Sequence, residues 1–188
     1  MYLIKSIFKT ISIILIIIGF NKAFADGHKS KKGPELEYFG TLSYADITRM
    51  NGYKPNFIAD IPSGTLTLAN GDKGKVASPC ADYGNMQKER TIDLDVRCSV
   101  TMEDGSELYI IYGGKMIMDE KSDELNKEAK LLTPRNGLDY WIAAPLIRTT
   151  SEKYDYMNYI QLIGKGKKAI MAPPISVTYD LYKVVYSK

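Results

Sequence analysis

The polar residues best placed to do chemistry are Asp82, Asp95, Arg97 and Asn158, with Tyr83, Tyr112 and Trp141 as candidate walls of a ligand site. Asp95 and Arg97 stand two apart in a stretch of period two, so they share one face of a strand. Turned into an enclosed interior, that face must pair its charges, because a buried ion is costly unless compensated. Arg97 would then anchor a carboxylate or phosphate, or pair with Asp82 or Asp95. A buried Asp beside such a pair has the shifted pKa that a general base needs. Turned to solvent, the same residues are a structural ion pair. Asp82 reads as a turn residue, a place where Asp is common for backbone reasons.

Other chemistries are excluded more firmly. The only histidine is His28, near the N-terminus, so no Ser-His-Asp or Cys-His arrangement can be built inside the domain. There is no dinucleotide fingerprint, phosphate-cradling loop or nucleophile elbow. Gly164-Lys165-Gly166-Lys167-Lys168 lacks the phosphate-loop spacing and its Ser/Thr, and reads as a basic hairpin turn between two strands. Two cysteines and one distant histidine are too few for zinc, and no cofactor is expected. Cys80 and Cys98 either form a disulfide or leave Cys98 as a small buried apolar residue on a strand. A bridge would close a loop of about 19 residues, worth ~3 kcal/mol in the chain-entropy picture.

The elements that must position these residues are strands. In Asp93 to Met102, Leu94, Val96, Cys98, Val100 and Met102 fall on one face, and Asp93, Asp95, Arg97, Ser99 and Thr101 on the other. Asp104-Gly105 is a hairpin signal, and Glu107 to Lys115 is the returning strand, with a bulge or bend expected at Gly113-Gly114. Further strands are expected at Glu35 to Ser43, Ser63 to Ala69, Lys73 to Ser78, Tyr140 to Thr149, Tyr154 to Ile163 and Ile175 to Tyr186. Asp119 to Leu132 is rich in helix formers but mostly charged, a surface insertion with at most one solvated helix. Short strands separated by turns predict an all-β fold: a single closed or nearly closed antiparallel barrel or sandwich.

The N-terminus reads as an address. Lys5 and Lys9 precede an apolar run from Ile11 to Phe20, and Ala23-Phe24-Ala25 is a small-x-small cleavage signal. The run is about half the ~20 apolar residues a spanning helix needs. Residues 1–25 are therefore expected to be a cleaved signal peptide, 26–34 a loose polar tail, and 35–188 the folded domain, located in the periplasm or secreted. The chain has 188 residues with 25 Lys+Arg and 22 Asp+Glu. Its basic excess resides in Lys5, Lys9 and Lys22, and without residues 1–25 basic and acidic residues number 22 each. A neutral domain gives no electrostatic reason to propose nucleic acid or anionic lipid as a partner.

Four segments, in order, resemble one family, the domain of unknown function 3237, also called uncharacterised protein family 0311. They are Ile61-Pro62-Ser63-Gly64-Thr65; Gly74-Lys75-Val76 followed by Ala81-Asp82-Tyr83; Asp93 to Arg97 through Asp104-Gly105 to Leu108-Tyr109-Ile110 and Gly113-Gly114; and Tyr154 to Asn158 followed by Gly164-Lys165-Gly166 and the strand Tyr179 to Val184. The resemblance spans about residues 35–188. It departs from the family pattern at Cys80 (usually Gly), Tyr83 (usually Trp) and Met157 (usually Leu), and in a longer Asp119–Asp139 region. It implies a small lipocalin-like or calycin-like barrel, it raises Asp82 above an ordinary turn residue, and it carries no settled biochemical function.

Three roles fit these residues. The first is a barrel that holds a small apolar or aromatic molecule, suggested by the 13 tyrosines beyond Tyr2 and by the ability of small barrels to hold one ligand. The second is a cofactor-free isomerase, lyase or cyclase with an Asp base, and Arg97 and a Tyr stabilising the anion. The third is an assembly role, with the barrel wall as a homo-oligomer interface. The partner expected on the first two is a small molecule.

Overall fold

The computed structural model describes residues 33–50, 53–88 and 90–186; the expected signal peptide, His28 and most of the expected tail lie outside the described residues. Residues Glu35–Val185 form one compact unit. Its strands are β1 (Glu35–Met50), β2 (Ile58–Asp60), β3 (Ser63–Leu68), β4 (Lys73–Asp82), β5 (Asn85–Lys88), β6 (Thr91–Met102), β7 (Glu107–Met118), β8 (Thr133–Pro134), β9 (Gly137–Ala143), β10 (Leu146–Arg148), β11 (Leu162–Ile170) and β12 (Ile175–Val185). One α-helix, α1 (Lys121–Lys127), and one 3₁₀ helix (Glu152–Tyr159) interrupt them.

Eight strands close a ring in chain order: β1, β3, β4, β6, β7, β9, β11 and β12, with β12 pairing back onto β1. All these pairings are antiparallel, which confirms the all-β, barrel-like expectation. The alternation in β6 is the physical reason for its orientation. Val96, Cys98, Val100 and Met102 are buried inside, while Arg97 is exposed on the outer wall. Leu42, Leu66, Val100, Leu108, Ile110, Leu162 and Leu181 are at most 1% exposed and fill the lower part of the ring. Truncating any of these leucines to alanine removes burial and opens a cavity, at a cost of about 2–5 kcal/mol.

In an up-and-down ring, alternate connections gather at the same end. The β3–β4, β6–β7 and β9–β11 connections meet at the lower end, which the 3₁₀ helix plugs. Tyr154 and Met157 are buried there, and the Tyr154 hydroxyl donates to Asp72 Oδ2 at 3.1 Å. Lys153 Nζ bridges Asp72 at 3.0 Å and Asp104 at 3.3 Å, tying two hairpin turns to the plug. The β1–β3, β4–β6, β7–β9 and β11–β12 connections meet at the opposite end, and among the described residues that end is open.

Several sequence expectations are corrected. Tyr154 to Ile163 is not a strand: residues to Tyr159 form the 3₁₀ plug, and the strand starts at Leu162. Gly164 to Lys168 is not a turn but the middle of β11. Its Gly-Lys-Gly-Lys pattern is an alternation, with Lys165 and Lys167 outside and the glycines inside. A Cβ at Gly166 would overlap the Trp141 indole, so the small residue makes room for that ring. Gly113-Gly114 makes no bulge, since β6 and β7 stay in register throughout. A Cβ at Gly114 would lie 2.6 Å from the Ile142 carbonyl oxygen, so its requirement is close approach of β9. The expected strand Tyr140 to Thr149 is split into β9 and β10 around Ala144-Pro145. The charged insertion contains α1, seven residues long, with Leu125 buried and Asp119 accepting from the Ser122 and Gly137 N–H groups, both at 3.1 Å.

Candidate functional site

The open end leads into a vestibule of about 840 Å3 that narrows to an inner chamber of about 60 Å3. Ile47, Arg49, Ile92, Met171 and Ile175 line both spaces and form the neck between them. The vestibule is walled by Met86, Met118 and the α1 residues Ser122, Asp123 and Asn126 on one side, and by Pro173 and Pro174 on the other. Arg90 clasps Asp123 through two hydrogen bonds, Nη2 to Oδ2 at 2.6 Å and Nε to Oδ1 at 3.3 Å, and so holds α1 against the ring.

The chamber is apolar except for a few groups on its floor. Asp82, Tyr112, Trp141 and Tyr179 supply them, and Arg49 stands at the neck. Asp82 is the last residue of β4, not a turn residue. Ser78 and Pro79 stand outside the β4–β6 register, after which Cys80 and Asp82 point inward again. Cys80 and Cys98 face each other across the two strands and are joined as a disulfide. Asp82 is 8% exposed, and its Oδ1 accepts the Asp95 N–H at 2.9 Å. Among the described residues, no donor reaches Oδ2.

Burial pushes the Asp82 carboxyl up to about 6, against the hydrogen bond from the Asp95 backbone, with Asp95's charge adding to the rise and Arg49's opposing it. Burial likewise holds the Tyr44, Tyr112 and Tyr179 phenols well above the ordinary tyrosine range. Trp141 Nε1–H donates to the Tyr179 hydroxyl at 3.0 Å, and Tyr179 packs edge-on against Tyr112 and Trp141 at 5.8 and 4.5 Å between ring centroids. The Tyr44 hydroxyl is buried and makes no well-formed hydrogen bond, although the Tyr112 hydroxyl influences its titration. The floor is thus a set of protonated hydroxyl donors beside one carboxyl that titrates near neutrality.

Three of the seven residues singled out from sequence meet in this chamber: Asp82, Tyr112 and Trp141. Asp95 and Arg97 do not. They form a 3.2 Å pair on the outer wall, with side chains 47% and 54% exposed. The apolar face of β6 took the interior, which left the charged face in water. Tyr83 is exposed beside them, with the Arg97 guanidinium 5.9 Å from its ring centre. Asn158 sits at the plugged end, where it binds the Thr149 backbone through both amide atoms at 3.1 and 3.0 Å, a positioning role for that loop.

Arg49, Tyr44 and Tyr179 were missed. Counting by twos from Leu42 puts Arg49 outside. One extra residue at Ala45–Asp46, where β1 slips against β12 and Asp46 adopts φ +56°, reverses the parity so that Ile47 and Arg49 face in. Nothing in the local sequence marks that bulge beyond an Asp, a residue that tolerates this conformation. Tyr44 and Tyr179 lay on expected or near-expected strand positions but were indistinguishable from the other tyrosines.

These features define an all-β, barrel-like protein with a sealed end and a pocketed mouth. Residues 39–184 match the family model described as "Protein of unknown function (DUF3237)", and the chain belongs to that family. No curated protein sequence matches it. A conserved protein of unknown function from Rhodopseudomonas palustris superposes with a TM-score of 0.68 at 18% identity, over 82% of this chain and 100% of that one. A beta-barrel like protein from Acinetobacter baumannii gives 0.63 at 18%, over 84% and 99%. A protein with unknown function from Clostridium acetobutylicum gives 0.62 at 18%, over 81% and 99%. These likenesses concern the fold.

Proposed function

We propose that this is an exported protein that binds a small, largely apolar molecule at the open end of its ring. The observation that carries this reading is the vestibule continuous with a chamber holding one buried carboxyl. The vestibule's ~840 Å3 falls within the range of small-molecule pockets. The chamber's 60 Å3 has room only for the tip of a ligand or about two waters. The lower bore is filled with side chains, so the ligand lies in the mouth rather than along the axis. Export is supported by the signal-like N-terminus and by the Cys80–Cys98 disulfide, a bond that persists in oxidising compartments. An intact mass starting at Asp26 from a periplasmic fraction is the expected result.

Trp141 is the only tryptophan and lines the chamber, so its emission reports on occupancy. The protein is titrated with small apolar and aromatic compounds, and native mass spectrometry is run beside a denatured aliquot to detect a retained molecule. Saturable shifts in Trp141 emission are expected. Emission that no compound moves, together with a bare mass, overturns the binding reading.

A second reading is favoured by Asp82 itself. A carboxyl with one held oxygen, one open oxygen and a pKa near 6 suits a general base working near neutral pH. Tyr112, Tyr179 and Arg49 would stabilise the anion formed, taking the part that sequence reasoning assigned to Arg97. On this reading Asp82→Asn keeps ligand binding and abolishes turnover of the bound molecule.

A further inference from the structure

Arg49 is a charged group at the neck that has no ion pair among the described residues. Its Nε is buried and has no hydrogen-bond partner. It senses the charge of Asp82, which stands two strands along the same wall beyond Ala59. Burial draws its pKa below the ordinary arginine value. An arginine carries five N–H donors, and leaving a buried donor unmet costs free energy. Its guanidinium lies over Phe57, whose ring centre is 4.1 Å from the guanidinium carbon. That stacking occupies the flat face of the guanidinium and leaves its in-plane N–H edge unused, the edge that meets a carboxylate with two parallel hydrogen bonds. The edge stands at the neck, where vestibule and chamber join. A second buried polar atom without a partner, Asn126 Oδ1, lies on the α1 wall of the same vestibule.

Resting on the proposed binding function, we infer that the ligand is an organic monocarboxylate, with its carboxylate on the Arg49 edge and its apolar body against Ile47, Ile92, Met171 and Ile175. One unpaired cation fits one negative charge. A doubly charged phosphate would find no second free cation among the described residues of the vestibule, because its other arginine, Arg90, is engaged with Asp123. The surrounding side chains are apolar, so the body of the ligand is apolar too. Asp82, two strands along the same wall because Arg49 and Asp82 both pair with Ala59, is left to meet a donor on the ligand.

The test uses matched probes followed by Trp141 emission at constant ionic strength: cyclohexanecarboxylate, the neutral cyclohexanemethanol, and inorganic phosphate. The carboxylate is expected to bind about tenfold or more tightly than the alcohol, the scale of a hydrogen bond to a charged group, and phosphate is expected not to compete. Arg49→Gln should erase the preference for the acid, bringing its affinity to that of the alcohol; its fold is checked by near-UV circular dichroism. Equal affinity of wild-type protein for acid and alcohol overturns the inference while the mouth still binds small molecules. Competition by phosphate at equal strength overturns the choice of carboxylate. Failure of both organic probes to move Trp141 emission, while other apolar compounds do, also overturns it; failure of every compound removes the binding function on which it rests. The acid–alcohol comparison needs only wild-type protein, so misfolding of the variant would not protect the inference.

Discussion

Replacing Asp82 with asparagine should make the protein more stable at neutral pH and about 1 kcal/mol less stable in acid. The carboxyl's pKa rises from an ordinary 3.8 to about 6 in the fold, chiefly through burial. Below pH ~3 it is protonated whether folded or unfolded and contributes no difference. Between pH ~4 and ~6 the native state binds more proton than the unfolded chain, so stability falls as pH rises through that window. Above ~6 the full penalty is present, about two pKa units at 1.36 kcal/mol each, or about 3 kcal/mol. Asparagine is uncharged and retains an oxygen to accept the Asp95 N–H. Its amide N–H groups need acceptors on the chamber floor, which offsets about 1 kcal/mol of the gain. The net expectation is a variant about 1–3 kcal/mol more stable than wild type at pH 8, roughly 2–4 °C in Tm per kcal/mol for a domain of this size. Urea unfolding followed by Trp141 emission at pH 4, 5, 6, 7 and 8 measures it. Other titrations are common to both proteins and cancel in the difference. A variant less stable than wild type at pH 8, or a difference that does not change with pH, would refute the account of Asp82 as a desolvated, unpaired carboxyl.

Gly166→Ala places a methyl against the Trp141 indole, and should cost about 1–3 kcal/mol of stability with a shift in Trp141 emission, read by urea unfolding and fluorescence. Replacing both Cys80 and Cys98 with serine opens a loop of 18 residues' separation and should cost about 3 kcal/mol by the same unfolding assay. Arg97→Ala should change stability by less than about 0.5 kcal/mol and leave ligand titrations unchanged, because its ion pair lies on the outer wall. Ala59→Leu should fill the chamber, where Ala59 is 5% exposed, and block titration by any ligand that reaches Trp141.

The all-β character was written locally. Alternation in Asp93 to Met102, the Asp104-Gly105 turn and the short spacing of strands are properties of neighbouring residues, and they read correctly because strand side chains alternate wherever the strand ends up. The family was legible for the same reason: its segments keep their order along the chain. The pairing of Cys80 with Cys98 stood open, since loop length does not say which residues two strands bring opposite each other. The candidate site was half legible. Asp82, Tyr112 and Trp141 were named, but Asp95, Arg97, Tyr83 and Asn158 were grouped with them, because sequence distance cannot tell the inside of a ring from its outside or one end from the other. Ring closure put Asp95 and Arg97 in water. One inserted residue at Ala45–Asp46 turned Arg49 inward, and the connections from four separate parts of the chain built the mouth around it. Periodicity is set by the backbone of each strand, whereas a cavity belongs to the register between strands, and that register exists only in the folded ring.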